Sequence, residues 1–144
     1  MRKDAAITIR RPPRTVFPFV ADAENAGRFR PDIVAVRRTS GTPAAAGATY
    51  RQVMKLDWRR VEVVVENTEH DPDRKLSFCT HKPDGMTVIT TYSFQPIELE
   101  HTRVTVTTDG PAGNLSWLAR SLRKRELEAL RGLKRTLESR PFRV

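Results

Sequence analysis

At 144 residues the chain has the size of one ordinary domain, long enough to bury a core and too short to hold two. With 38% hydrophobic and 30% charged residues it is neither an extended disordered chain nor, lacking any long apolar run, one that spans a membrane by a helix. The net charge of +9 is concentrated at the two ends: +5 over residues 1–40, −2 over 41–112 and +5 over 113–140.

That asymmetry marks either an anionic partner, such as lipid headgroups, an acidic protein or nucleic acid, or the solubility surface of an arginine-rich protein. Met1-Arg2-Lys3-Asp4 has basic residues but no apolar core or small-residue cleavage site behind them, so no secretory signal is expected. Cys79 is the sole cysteine, which excludes an internal disulfide and makes a reducing cytoplasm the expected location.

Ala5 to Arg10, with Ile7 and Ile9 on one face, predicts a strand that stops at Pro12-Pro13. Val16, Phe17, Phe19 and Val20 then share a helix face, with Thr15 as the expected N-cap and Pro18 in the first turn. A second short helix or turn follows over residues 21–26. From Ile33 the period changes to two. Val34 and Val36 lead to a turn at Ser40-Gly41-Thr42-Pro43, and Tyr50, Gln52, Met54, Leu56 and Trp58 share one face of the next strand. Val61, Val63 and Val65 continue the inner set, opposite Glu62 and Glu66.

Leu76, Phe78 and Thr80 precede a Pro83-Asp84-Gly85 turn, after which Val88, Thr90, Tyr92 and Phe94, then Thr102, Val104, Val106 and Thr108, complete the strands. No helix separates them, so the sheet is antiparallel. Gly110-Pro111-Ala112-Gly113 breaks the pattern and Asn114 is the expected cap of a long helix. Its stripe is Leu115, Leu118, Leu122, Ala129, Leu133 and Leu137, with Gly132 as a weak point.

This order resembles the START-like, or helix-grip, superfamily (SRPBCC), in its polyketide cyclase and lipid-transport branch. The resemblance is carried by Pro13-Arg14-Thr15-Val16-Phe17-Pro18-Phe19-Val20-Ala21-Asp22, Arg28-Phe29-Arg30-Pro31, Val36-Arg37-Arg38-Thr39-Ser40, Gly47-Ala48-Thr49-Tyr50-Arg51 and Tyr92-Ser93-Phe94-Gln95-Pro96. It implies an α+β helix-grip fold: a curved seven-stranded antiparallel sheet around a long C-terminal helix, with two short helices after the first strand. It also implies an apolar cavity between sheet and helix. Phe29 stands where relatives commonly carry a tryptophan that resembles a lid, and it lacks the indole N–H donor. Cyclases of the superfamily steer substrate with an inward arginine; Arg51, Arg59 and Arg103 all fall on the outward face, so none takes that role.

The expected ligand-binding set is Phe17, Phe29, Tyr50, Gln52, Met54, Val63, Phe78, Thr80, Thr90, Tyr92, Phe94, Leu118 and Leu122, with Trp58 a further wall residue and Tyr92 the weak catalytic candidate. Core packing explains the apolar members equally well. His70, His81 and His101 show no metal-ligand spacing and are expected as solvated loop residues. No phosphate loop, dinucleotide fingerprint or nucleophile elbow occurs, so neither cofactor nor metal is expected. Cys79 is expected as an outward or edge thiol.

Arg120, Lys124, Arg131 and Arg135, beside Arg123 and Lys134, form a basic stripe. It is read as the solvated back of the last helix, partly paired with Glu126, Glu128 and Glu138. Without interleaved aromatics the stripe is a poor nucleic-acid reader. Three functions follow in order. The first is binding of a polyketide, quinone or lipid-like molecule. The second is a cyclase or dehydratase acting in the same cavity. The third is an adaptor whose basic ends dock on an anionic membrane or acidic partner. Homodimerisation is left open.

Overall fold

The computed structural model describes residues 2–56, 58–83, 85–98, 100–110 and 116–139, with the side chains of residues 2, 3, 56 and 116–123 outside the description. Strand β1 (Arg2–Ile9) leads into helix α1 (Pro13–Ala21) and a 3₁₀ helix (Ala23–Arg28). There follow β2 (Ile33–Ser40), β3 (Thr49–Leu56), β4 (Arg59–Asp71), β5 (Lys75–His81), β6 (Thr87–Ile97) and β7 (His101–Asp109), then helix α2 (Ser116–Glu138). The strands form one seven-stranded antiparallel sheet in the order β1-β7-β6-β5-β4-β3-β2. This is the expected helix-grip architecture.

Because consecutive strands run antiparallel, their connections alternate between two ends of the sheet. The β3–β4 and β5–β6 turns, the start of β2 and the exit of β7 therefore share one end. The concave face buries Val63, Val65, Leu76, Phe78, Tyr92, Phe94, Val104 and Val106. Val16, Phe17, Phe19 and Val20 of α1 pack against it, as the helical spacing predicts, and α2 contributes Ala129, Leu130, Leu133 and Leu137.

Local details depart from the sequence reading for identifiable reasons. Helix α1 is capped by Pro12, not Thr15, and places Pro13 in its first turn. Pro18 is consequently interior, where its absent N–H leaves one intrahelical bond unmade; it lies on the exposed side. Trp58 sits at the β3–β4 turn and is 90% exposed, so it lines no wall. The expected Asn114 cap and Leu115 lie outside the described residues.

His70 is no solvated loop residue. A β-bulge between Asn67 and Glu69 shifts the alternation of β4 by one residue. It turns the His70 ring inward, edge-on to Phe17 at a centroid distance of 5.0 Å. The bulge leaves the Asn67 amide and His70 Nδ1 buried with no hydrogen-bond partner among the described residues.

Gly132 is a required close approach between elements, not a weak point. A Cβ at this position would overlap the Phe29 carbonyl, which lies against α2 just past the 3₁₀ helix. Thr136 Oγ1 donates to the neighbouring Arg28 carbonyl at 3.1 Å, fixing the same approach one turn further along. The far end of α2 is tied to β1. The Glu138 carboxylate accepts from the Arg10 backbone N–H at 2.8 Å and from Lys134 Nζ at 2.7 Å, while Lys134 also donates to the Thr8 carbonyl. Burial opposes the charge on Glu138, but Lys134 and Arg10 outweigh it and hold the carboxyl below its ordinary value of 4.5.

Two outcomes are expected. Gly132→Ala, which raises intrinsic helix propensity, instead lowers stability by about 1–3 kcal/mol because the new methyl group overpacks the contact; urea unfolding reads it. Glu138→Gln costs about 1 kcal/mol at neutral pH. The depressed folded pKa of Glu138 contributes stability that is present above the unfolded value and lost as pH falls through the folded one. A melting series from pH 6 to pH 3 should therefore fall less steeply for the glutamine variant than for the native chain.

Candidate functional site

The site is built where the chain leaves the 3₁₀ helix. Phe29 and Arg30 both donate backbone N–H groups to the Ala26 carbonyl, at 3.2 and 2.9 Å, so the segment stays tightly wound as it passes under α2. The Phe29 ring packs on Phe19 at 5.9 Å and is buried. It forms a buried wall of the cavity, with its backbone carbonyl set against Gly132.

The next side chain, Arg30, points inward. Its guanidinium binds Glu126 of α2 in bidentate fashion, Nη1 to Oε1 at 3.2 Å and Nη2 to Oε2 at 2.9 Å, and Nη2 also donates to the Tyr92 hydroxyl on β6. Arg30 and Glu126 side chains are only 14% and 9% exposed. Burial opposes the charge on Arg30, but the Tyr92 oxygen and the Glu126 carboxylate more than offset it and keep the guanidinium charged. For Tyr92, burial outweighs the opposing pull of Arg30, and the phenol is held in its neutral form. Since its oxygen already accepts from Arg30, the Tyr92 hydroxyl hydrogen is free to be donated elsewhere.

Glu126 thus leaves the solvated back of the helix to which the sequence reading assigned it. It lies in register with Ala129, Leu130 and Leu133 on the buried face. Lys124, Arg131 and Arg135 of the basic stripe are exposed, while Lys134 is engaged by Glu138; the side chains of Arg120 and Arg123 lie outside the described residues.

Above this ion pair is a cavity of about 130 Å³. Seven of the expected residues line it: Phe29, Gln52, Met54, Phe78, Thr80, Thr90 and Tyr92. Arg30, Glu126 and Thr108 also line it and were not anticipated. Asp32, Lys82 and Arg125 add charged groups. Among the described residues, Gln52, 7% exposed, has no side-chain hydrogen bond, and the buried Thr108 hydroxyl has no partner. The cavity is therefore an apolar chamber with a neutralised ion pair on one side and a few polar groups left to a ligand.

The other expected residues lie elsewhere. Phe17 stacks edge-on with Phe94 at 5.2 Å in the core, and Val63, opposite Gln52 in the β3–β4 ladder, is buried in the same hydrophobic cluster. Tyr50 is fully buried, and its hydroxyl accepts from the Ala44 N–H at 3.0 Å, closing the β2–β3 loop instead of facing the cavity. Leu118 and Leu122 fall on the part of α2 whose side chains lie outside the description. Cys79 lies on the outer sheet face, its thiol pushed up by burial and by Glu66, so it is not activated. No metal-binding cluster occurs among the described residues, and no helix among them is long and apolar enough to cross a membrane.

Sheet, cavity and helix together define a helix-grip domain built around an internal chamber. Residues 2–138 match the family model described as polyketide cyclase / dehydrase and lipid transport, and the chain belongs to that family. The fold is similar to the Zhui aromatase/cyclase of Streptomyces sp. R1128, with a TM-score of 0.80, 12% identity and 99% of each chain covered. It is also similar to the di-domain ARO/CYC BexL of the BE-7585A biosynthetic pathway, with a TM-score of 0.79 and 19% identity over 96% of this chain; that match spans 46% of the di-domain chain. TTHA0849 of Thermus thermophilus follows at 0.73 and 22%, covering 93% of this chain and 94% of its own. No curated protein matches the chain.

Removing one partner of the buried pair strands the other charge. Glu126→Ala is expected to cost about 3–5 kcal/mol in urea unfolding, whereas the double change Arg30→Met with Glu126→Leu should recover most of that loss. A double variant as unstable as the single one would mean that the pair contributes more than charge compensation.

Proposed function

We propose that this protein binds a small, neutral, hydrophobic molecule of the polyketide, quinone or lipid-like class in the cavity between sheet and α2. The observation that carries the reading is the division of labour among the polar groups. Arg30 is already neutralised by Glu126, and of the other lining cations Lys82 is exposed and Arg125 only part-buried, so among the described residues no fully buried, unpaired cation is there to recruit an acid. The Tyr92 hydroxyl hydrogen, the Gln52 amide and the Thr108 hydroxyl are left to meet a carbonyl or hydroxyl oxygen. Family membership supports this ligand class. The lone cysteine supports a cytoplasmic location.

Cyclase or dehydratase chemistry is the second reading. Tyr92, neutral and polarised by Arg30, suits donation of a hydrogen bond to a ligand carbonyl, which promotes enolisation. The carboxylate nearest to it, Glu126, is engaged by Arg30 through both oxygens, which favours binding over proton abstraction.

Three size-matched probes separate these ideas by titration calorimetry: naphthalene, 2-naphthol and 2-naphthoate. The neutral naphthol should bind best, about tenfold tighter than naphthalene, as one added hydrogen bond allows, with naphthoate weakest. Tyr92→Phe should erase the naphthol advantage while retaining naphthalene. Tightest binding of naphthoate, or no binding of any probe, would sink the proposal. Turnover of a poly-β-ketone analogue that Tyr92→Phe abolishes would favour the enzyme.

A further inference from the structure

The end of the sheet that bears the cavity mouth carries an unusual surface. At the β3–β4 turn Trp58 is 90% exposed, and Lys55, Arg59 and Arg60 around it are all exposed. At the β5–β6 turn, on the same end, Met86 is 45% exposed beside Lys82. Met54, near the tip of β3, and Lys82 both line the cavity, so the cavity reaches the same end of the sheet as the tryptophan tip.

Two features of this end are unfavourable for the isolated molecule. A side chain as large as tryptophan leaves nearly all its apolar surface in water. Lys55 and Arg60 sit directly opposite each other in the β3–β4 ladder, a like-charge pairing that destabilises a hairpin. Among the described residues neither is paired with an acid; the nearest cross-strand ion pair, Arg51 to Glu62, lies further down the ladder. By sequence the two turns hold four cations against Asp57 and Asp84.

We propose that this end docks on an anionic phospholipid surface, with Trp58 at the interface and Lys55, Arg59, Arg60 and Lys82 among the headgroup phosphates. Tryptophan partitions to the membrane–water boundary because its ring is apolar and its N–H is not, and each nearby cation adds attraction to an anionic leaflet. An acidic protein would satisfy the cations alone. A lipid surface accounts for the cations and for the exposed aromatic tip. Docking of this kind uses the middle of the chain, not its basic ends, and does not depend on what occupies the cavity. That an apolar ligand would then pass between bilayer and cavity without crossing water rests on the ligand reading above.

The test is sedimentation with vesicles of phosphatidylcholine alone and of equal parts phosphatidylcholine and phosphatidylglycerol, with Trp58 emission followed in a Trp117→Phe background. The protein should bind the mixed vesicles only, less at high salt, with a blue shift of Trp58. Lys55→Gln, Arg59→Gln and Arg60→Gln together should weaken binding by about fivefold per cation, on the order of a hundredfold in all. Trp58→Ala should weaken it about tenfold while leaving 2-naphthol affinity unchanged, which keeps the docking and cavity readings distinguishable. The triple change Lys124→Gln, Arg131→Gln and Arg135→Gln on α2 should have little effect. No binding to the mixed vesicles, binding that only the α2 variant abolishes, or binding with Trp58 emission unmoved would each overturn the proposal. Capture by polyglutamate without vesicle binding would overturn it in favour of an acidic protein partner.

Discussion

An arginine and a glutamate far apart in sequence meet in the interior and connect three parts of the molecule. Arg30 follows the 3₁₀ helix, Glu126 projects from α2, and Tyr92 stands on β6. Taking either charge out of water alone is costly, and the bidentate geometry with an added phenol oxygen is what makes the pair tolerable. Everything near it follows. The segment after the 3₁₀ helix must lie against α2, which requires Gly132 at the contact, and the level at which α2 crosses the sheet sets the size of the chamber.

That chamber is small. At about 130 Å³ it is close to the size of a cavity that accepts one aromatic ring, and below the range of about 300–1,000 Å³ common for ligand pockets. The ion pair closes one side of the chamber, so a guest that separated Arg30 from Glu126 would have to bring enough apolar contact to offset the loss.

Much of the architecture was legible because it depends on period alone. Alternation from Ile33 to Thr108 and the helical spacing of Val16, Phe17, Phe19 and Val20 each describe one element facing one core. Cavity residues on the sheet, such as Gln52, Phe78 and Tyr92, were readable for the same reason. Those that failed sit where period and position part company. Tyr50 and Phe94 have the inward parity of their strands but lie beyond the chamber's extent, and Trp58 has that parity but follows the strand end. His70 turned inward through a bulge, which inserts one residue without any turn signal in the sequence.

Glu126 could have been suspected, since it falls between Leu122 and Ala129 on the apolar stripe of α2. A charge there asks for a partner, but sequence does not say which of 26 basic residues supplies it. By itself, then, the sequence determined the antiparallel sheet, the long closing helix, the apolar inner face and the family, because each rests on local spacing and on residue type. Only the tertiary structure decided that Arg30 meets Glu126, that Gly132 is a contact and that the tryptophan tip and the cavity share one end of the sheet. Those facts depend on how distant elements approach one another, and the energy of such an approach belongs to pairs of residues that no local pattern joins.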